Sequence, residues 1–327
     1  MIEDVTIQNY TGSYNPVFPF IFNLQRSLST FSINQFTIEN SQLFSQALMG
    51  GVSTLSNVSL SNMNFNNVNL SSDLSIFSIF SLQELVISNI VINQVTPLVT
   101  TDIATTMFVV NSLDLLVNSK ILIKGVAYTN SSLSFLKFDS LMNELTTPNL
   151  INFEDMSFSN SFYSSNRAIL TLDGIFKNSN IELSYNNLSF SDIEFANTGY
   201  LMKLTHQLPN NITISNSRIK NINNANILVS TPDTQNNIIS TSVVFNNVTV
   251  DNVREDSTSF ILLVESGTLY VIGCQFTNIY SFRDGAVITG GASKTTTIIQ
   301  DSIFQYNTAQ NGGVFSVSDE SSIQCTN

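Results

Sequence analysis

The sequence predicts an all-β chain wound as a parallel β-solenoid, about 10–11 rungs of roughly 30 residues each, and three observations lead there. Apolar residues recur with a period of two. A polar residue, most often Asn, returns at one fixed place in unit after unit. The third observation is compositional: 327 residues carry 43% hydrophobic content but only 11% charge, with no Trp, 24 Phe, 42 Asn and 46 Ser. Soluble domains average about 25% charged residues, so neutral amides and hydroxyls must cover this surface.

The repeat runs apolar, any, apolar, any, Asn or Gly, then an apolar residue three positions on and a second Asn two beyond that. Val58-Ser59-Leu60-Ser61-Asn62 with Phe65 and Asn67 is one clear copy; Ile212-Thr213-Ile214-Ser215-Asn216 with Ile219 and Asn221 is another. Aligning the first polar position gives Asn9, Gln35, Asn62, Asn89, Gly125, Asp155, Asn187, Asn216, Asn247, Gly273 and Asp301. The second position gives Asn40, Asn67, Gln94, Asn130, Asn160, Asp192, Asn221, Asn252 and Asn278, then Tyr306 or Asn307. Most units add another short apolar stretch downstream, such as Ser75–Phe80, Ala168–Leu172, Tyr200–Leu204, Phe260–Val264 and Gly313–Val317. These stretches are strand-sized, rich in β-branched and aromatic residues, and bounded by turn formers.

Helices are poorly supported, because Ala is scarce and Glu/Lys pairs at helical spacing are almost absent. A β-sandwich would give no reason for Asn at one place in every unit. Stacked coils give that reason: equivalent residues of successive turns lie about 4.8 Å apart, where amides can hydrogen-bond along the axis. Asn also tolerates the left-handed backbone of a sharp corner, and Gly tolerates it better, which accounts for Gly125 and Gly273. Strand parity points Val58 and Leu60 inward and Asn57, Ser59 and Ser61 outward, and sets Asn62 either inward or at the corner.

Near the C-terminus, Phe304-Gln305-Tyr306-Asn307 is followed by Gly312-Gly313-Val314-Phe315, and a weaker copy runs Phe276-Thr277-Asn278 and Asp284-Gly285-Ala286-Val287. A Phe-x-x-Asn element followed by Gly-Gly-apolar resembles the repeat of polymorphic outer-membrane-type proteins, members of the right-handed, pectin-lyase-like parallel β-helix group. The resemblance implies a right-handed coil on a secreted or surface-exposed protein. Residues 1–327 form one solenoid domain, and a strand that begins afresh at the very end implies that the natural chain continues.

The formal net charge of −12 and the lack of any Lys/Arg cluster exclude a nucleic-acid face. No apolar run reaches the 18 to 20 residues or so that span a bilayer, and no secretory leader opens the sequence. The acids show no calcium-loop spacing, so neither metal nor other cofactor is expected.

Enzymes of the resembled group cut polysaccharides. Arg218-Ile219-Lys220 is similar to a substrate-binding triplet of polygalacturonases, but their paired aspartates and Gly-His-Gly segment are missing: the single histidine is His206. The near acid pairs, Glu154 with Asp155, Asp192 with Glu194 and Glu255 with Asp256, read as corner and loop residues rather than facing carboxylates. No catalytic residue is expected. Cys274 and Cys325 fall two rungs apart, beyond disulfide reach.

Seven Asn-x-Ser/Thr sequons occur, at Asn9, Asn57, Asn69, Asn130, Asn187, Asn211 and Asn247. Those on the ladders are committed to stacking, which leaves Asn57, Asn69 and Asn211 as the expected N-glycan carriers. Asn62, Asn67, Asn89, Asn160, Asn216, Asn221, Asn247, Asn252 and Asn278 are the expected structural ladder. The leading expectation is an extracellular structural glycoprotein of a coat, adhesin or filament that associates end to end. The alternatives are a pectin-lyase-like carbohydrate-active enzyme and a carbohydrate-binding surface protein, the latter marked by exposed aromatics such as Phe162, Tyr163 and Tyr185.

Overall fold

The computed structural model describes residues 2–10, 22–23, 28–43, 49–50, 55–70, 75–80, 84–97, 106–112, 120–142, 149–164, 167–176, 181–206, 211–231, 241–255, 260–263, 267–290, 295–317 and 321–326. Regular structure among them is entirely extended, as 26 strands in one sheet. The strand pairings are parallel from Ile2–Gln8 on Leu28–Leu43 at one end to Thr295–Gln300 on Ser322–Thr326 at the other. The chain is a parallel β-solenoid.

Register makes the coil explicit. Ile2, Ile33, Leu60, Ile87, Ile123, Phe153, Tyr185, Ile214, Phe245, Val271, Ile299 and Cys325 are paired in one unbroken column. A second column on the next face runs Ile7, Ile38, Phe65, Ile92, Tyr128, Phe158, Phe190, Ile219, Val250, Phe276 and Phe304. The downstream apolar stretches supply a third face, with Phe77 opposite Phe108 and Leu136 between Phe108 and Leu170. At about 4.8 Å per strand the first column is on the order of 50 Å long.

The core is the space these columns enclose. Leu60, Phe65, Ile87, Ile92, Phe77 and Phe108 are all fully buried. In-register stacking gives rings nearly face-to-face neighbours: Phe153 on Tyr185 at 4.7 Å between centroids, Phe158 on Phe190 at 5.0 Å, Phe77 on Phe108 at 5.1 Å and Tyr163 on Phe195 at 4.7 Å. Each such pair contributes about 0.5–1.5 kcal/mol beyond the area it buries.

Two corners bend each turn, one between the first face and the second, the other at the far end of the second. At the first corner Asp4, Gln35, Asn62, Asn89, Gly125, Asp155, Asn187, Asn216, Asn247, Gly273 and Asp301 have φ between 48° and 64°. At the second corner Asn9, Asn40, Asn67, Gln94, Asn130, Asn160, Asp192, Asn221, Asn252, Asn278 and Tyr306 have φ between 48° and 56°. The two corners lie five residues apart in every turn, and this spacing moves Asn9. Gln8 pairs with Glu39 and the Asn9 N–H donates to the Glu39 carbonyl, so Asn9 opens the second ladder while Asp4 opens the first. Aligning Asn9 with Gln35 by residue type puts it in the wrong ladder. At the C-terminal end the left-handed residue is Tyr306, not Asn307.

Strict alternation does not survive the corners. Leu60, Met63, Phe65 and Val68 point inward, while Asn62 and Asn67 are exposed. A left-handed residue rotates the chain so that two consecutive side chains face out and the residue after the ladder position turns in. The inward option left open for Asn62 by parity is therefore excluded: ladder side chains edge the outer surface.

The two corner glycines serve different needs. A Cβ on Gly125 would stand 2.9 Å from Asn89 Oδ1, whereas one on Gly273 would meet nothing within 4 Å. Gly125→Ala, with a left-handed backbone and an occupied space, is expected to lose about 1–2 kcal/mol. Gly273→Asn is expected to be neutral or to gain up to about 1 kcal/mol through one added amide link and a less flexible unfolded chain. Urea unfolding monitored by circular dichroism checks both, and equal effects from the two substitutions would contradict the assignment.

Candidate functional site

The corners concentrate the polar chemistry of the chain. At the first corner Asn62 Nδ2 donates to Asn34 Oδ1 at 2.7 Å, Asn89 to Asn62 at 3.1 Å, Asn187 to Asp155 at 2.7 Å, Asn216 to Asn186 at 2.9 Å and Asn247 to Asn216 at 2.9 Å. At the second, Asn67 donates to Asn40 at 2.8 Å, Asn130 to Asn93 at 3.1 Å, Asn221 to Asp192 at 2.7 Å, Asn252 to Asn221 at 2.8 Å and Asn278 to Asp251 at 3.0 Å. Each of these asparagine links donates from the later turn to the earlier one, whereas Gln8 Nε2 on the first turn donates forward to Glu39 Oε2 at 3.1 Å. Several reach the residue before the corner rather than the corner itself, because both side chains face out together there. Asn160 shares the left-handed backbone, with φ of 50°.

A second device sits one residue after the corner. Where that inward position holds Ser, its Oγ donates to the carbonyl two residues back and accepts the N–H of the preceding turn. Ser217 Oγ donates to Ser215 O at 2.7 Å and accepts from Leu188 N at 3.1 Å; Ser131 Oγ donates to Thr129 O at 2.8 Å and accepts from Val95 N at 2.9 Å. Ser41 and Ser302 do the same for Tyr10 and Cys274. Asn307, next to Tyr306, bridges in its own way: its Oδ1 accepts from Ile279 N at 2.9 Å and its Nδ2 donates to Phe276 O at 3.0 Å. Sequence reading missed these plugs, yet the pairs Asn40-Ser41, Asn130-Ser131, Asn160-Ser161, Asn216-Ser217 and Asp301-Ser302 marked them.

The expected glycan carriers fall on outer positions, with Asn211 exposed and Asn57 and Asn69 partly covered; Asn69 Oδ1 accepts from Thr96 Oγ1 at 2.8 Å. The sequon residues Asn130, Asn187 and Asn247 each spend an Nδ2 hydrogen on a corner link. Arg218 is exposed, Ile219 buried and Lys220 partly covered, and Lys220 pairs with Asp251 on the next turn.

Of the acids, Asp155 and Asp192 are corner residues that accept from Asn187 and Asn221. Glu255 departs from the surface reading: it is completely buried, because it occupies an inward position three residues past the Asn252 corner. Its charge, after burial itself, helps to raise the half-buried Tyr200 phenol above its ordinary range. Asp256 lies outside the described residues, and His206 ends the strand Ile181–His206 beside Gly174. Among the described residues no three His, Cys, Asp or Glu groups converge as metal ligands, and no helix is long and apolar enough to cross a membrane.

The expected aromatic row breaks up. Phe162 is exposed, but Tyr163 and Tyr185 are fully buried because both fall on inward columns, and burial raises both phenols well above their ordinary range. Tyr128, also buried, donates to Leu133 O at 2.6 Å. Sequence reading missed instead Tyr280 and Phe282, two exposed rings on one strand. No protein-family model, no curated protein and no solved structure matches the chain.

Both cysteines are free. Cys274 fills a corner-plug position, its Sγ donating to Ile272 O at 3.3 Å, and burial pushes its thiol up. Cys325 is exposed. A thiol reagent such as dithionitrobenzoate is expected to label Cys325 in the folded protein and Cys274 only on unfolding; equal labelling rates would contradict the burial. Ser217→Ala strands a buried N–H and is expected to cost about 1–3 kcal/mol, whereas Cys274→Ser installs the regular plug and should leave stability within about 1 kcal/mol. Denaturant titration of the two variants measures the contrast.

Proposed function

We propose that the chain is a structural element of an extracellular or cell-surface assembly, a rigid glycoprotein rod serving a coat, adhesin or filament. The observation that carries this reading is the continuity of the stack: twelve paired residues in one column, edged by asparagine links that donate toward the earlier turn. Such an architecture holds shape along one axis. Its neutral Ser, Thr and Asn exterior, with charge at 11%, suits an environment where solubility is supplied by hydroxyls, amides and attached sugar.

The right-handed sense of the coil and the kinship with polymorphic outer-membrane-type repeats belong to the same proposal. Support comes from Phe304-Gln305-Tyr306-Asn307, where Tyr306 makes the corner and Asn307 fastens it to the turn before. End-to-end self-association belongs to the same proposal, since a stack of parallel strands in register offers backbone edges wherever it ends. Unpaired strand edges recruit further strands unless covered.

The test is expression through a secretory pathway, then glycopeptide mass spectrometry and negative-stain electron microscopy. Sugar on Asn57, Asn69 and Asn211, together with concentration-dependent rods longer than one stack, is the expected result. Sugar chiefly on Asn187 or Asn247 would overturn the glycan assignment, and discrete single stacks at every concentration would overturn the assembly.

A further inference from the structure

We propose that Arg254, Tyr280 and Phe282 form a binding site for a neutral carbohydrate, with the two rings as its floor and corner. The site occupies one outward face and stands whether or not the rods associate.

Most rings among the described residues are interior, many of them stacked turn on turn. Among the described residues four aromatic side chains are exposed, and three of them, Tyr280, Phe282 and Tyr306, lie on two successive turns. Register brings them together: Tyr280 pairs with Arg254 on the turn before and with Thr308 on the turn after. Tyr306 occupies the second corner one turn on from Asn278, two residues along the chain from Tyr280's partner Thr308. Tyr280 and Phe282 alternate outward on either side of the buried Ser281, so one strand presents both to solvent.

Their arrangement is held rather than splayed. The ring centroids are 4.9 Å apart with planes at 88°, which makes an L-shaped apolar corner. The Arg254 guanidinium lies 5.7 Å from the Tyr280 centroid and 5.3 Å from that of Phe282, a cation–π contact with both. At exposed sites such a contact contributes modestly, and it fixes ring orientation before any ligand arrives. Exposed apolar rings gathered in one place on a surface otherwise clothed in hydroxyls and amides mark a contact site.

Charge selects the occupant. Aromatic rings beside arginine also suit single-stranded nucleic acid, but that requires a basic groove along the backbone, and this chain carries a formal net charge of −12. A pyranose offers a face of C–H bonds with hydroxyls around its rim. The site offers the complement: ring faces for the C–H bonds, and the guanidinium, the Tyr280 hydroxyl and the exposed Asn223 and Thr308 around them.

Affinity electrophoresis through native gels containing barley β-glucan, xylan, galactomannan or heparin tests the proposal. Retardation by at least one of the neutral polysaccharides is expected, weakened tenfold or more in the Tyr280→Ala and Phe282→Ala variants and unchanged in Phe162→Ala, an exposed ring remote along the same column. Circular dichroism establishes that each variant is folded. Saturation-transfer NMR with matching oligosaccharides on the unaltered protein, in which ring protons should pass saturation to sugar C–H protons, requires no variant. Absence of both retardation and transfer, retardation that survives both substitutions, retardation by heparin alone, or a co-purifying protein lost on the same substitutions would each overturn it. None of these outcomes bears on rod formation, which is read by microscopy.

Discussion

Everything in this fold depends on a backbone constraint: twice per turn, five residues apart, the chain must adopt a left-handed conformation. For ordinary L-residues this costs on the order of 1–2 kcal/mol at each position, so Asn, Asp and Gly dominate there, with Gln35, Gln94 and Tyr306 as the described exceptions. The bend resets strand parity and aims the following side chain into the core. Without it, Met63 and Phe65 would face away from the interior that Leu60 occupies. The columns, the outer ladders and the serine plugs all arise from those two angles recurring at the same place.

The same recurrence makes much of the architecture legible in the sequence. Strand period, corner spacing and the Asn ladders are local properties that the chain writes again in each turn, and repetition separates them from the background of an Asn-rich sequence. Asn9 misleads because alignment by residue type ignores its five-residue interval from Asp4. The orientation of the ladder side chains is harder to see, because a period-two pattern says nothing about how a left-handed residue breaks it. Tyr163 and Tyr185 stand among the rings expected to mark a binding surface, but their column positions bury them.

Arrangements across turns at positions outside the repeat are not legible. Glu255 reads as a loop acid and is buried; Arg254, Tyr280 and Phe282 are unexceptional one by one and become a cluster only because Arg254 and Tyr280 are in register. Side chains that meet at distances set by the axial spacing carry no spacing code along the chain. For a solenoid, function of this kind is written between turns, where sequence order is least informative.

The shared direction of the asparagine corner links bears on chemical ageing. An asparagine that loses its amide to become aspartate keeps an oxygen acceptor and loses its N–H donors. In this stack it would therefore release only the link to the turn before, while the link from the turn after would become charge-assisted and stronger. The chain already lives with that state at Asp155, Asp192 and Asp251, each of which accepts from a later Asn. Deamidation at an isolated corner would thus weaken the rod on one side of the lesion alone, and only two successive conversions would set carboxylate against carboxylate.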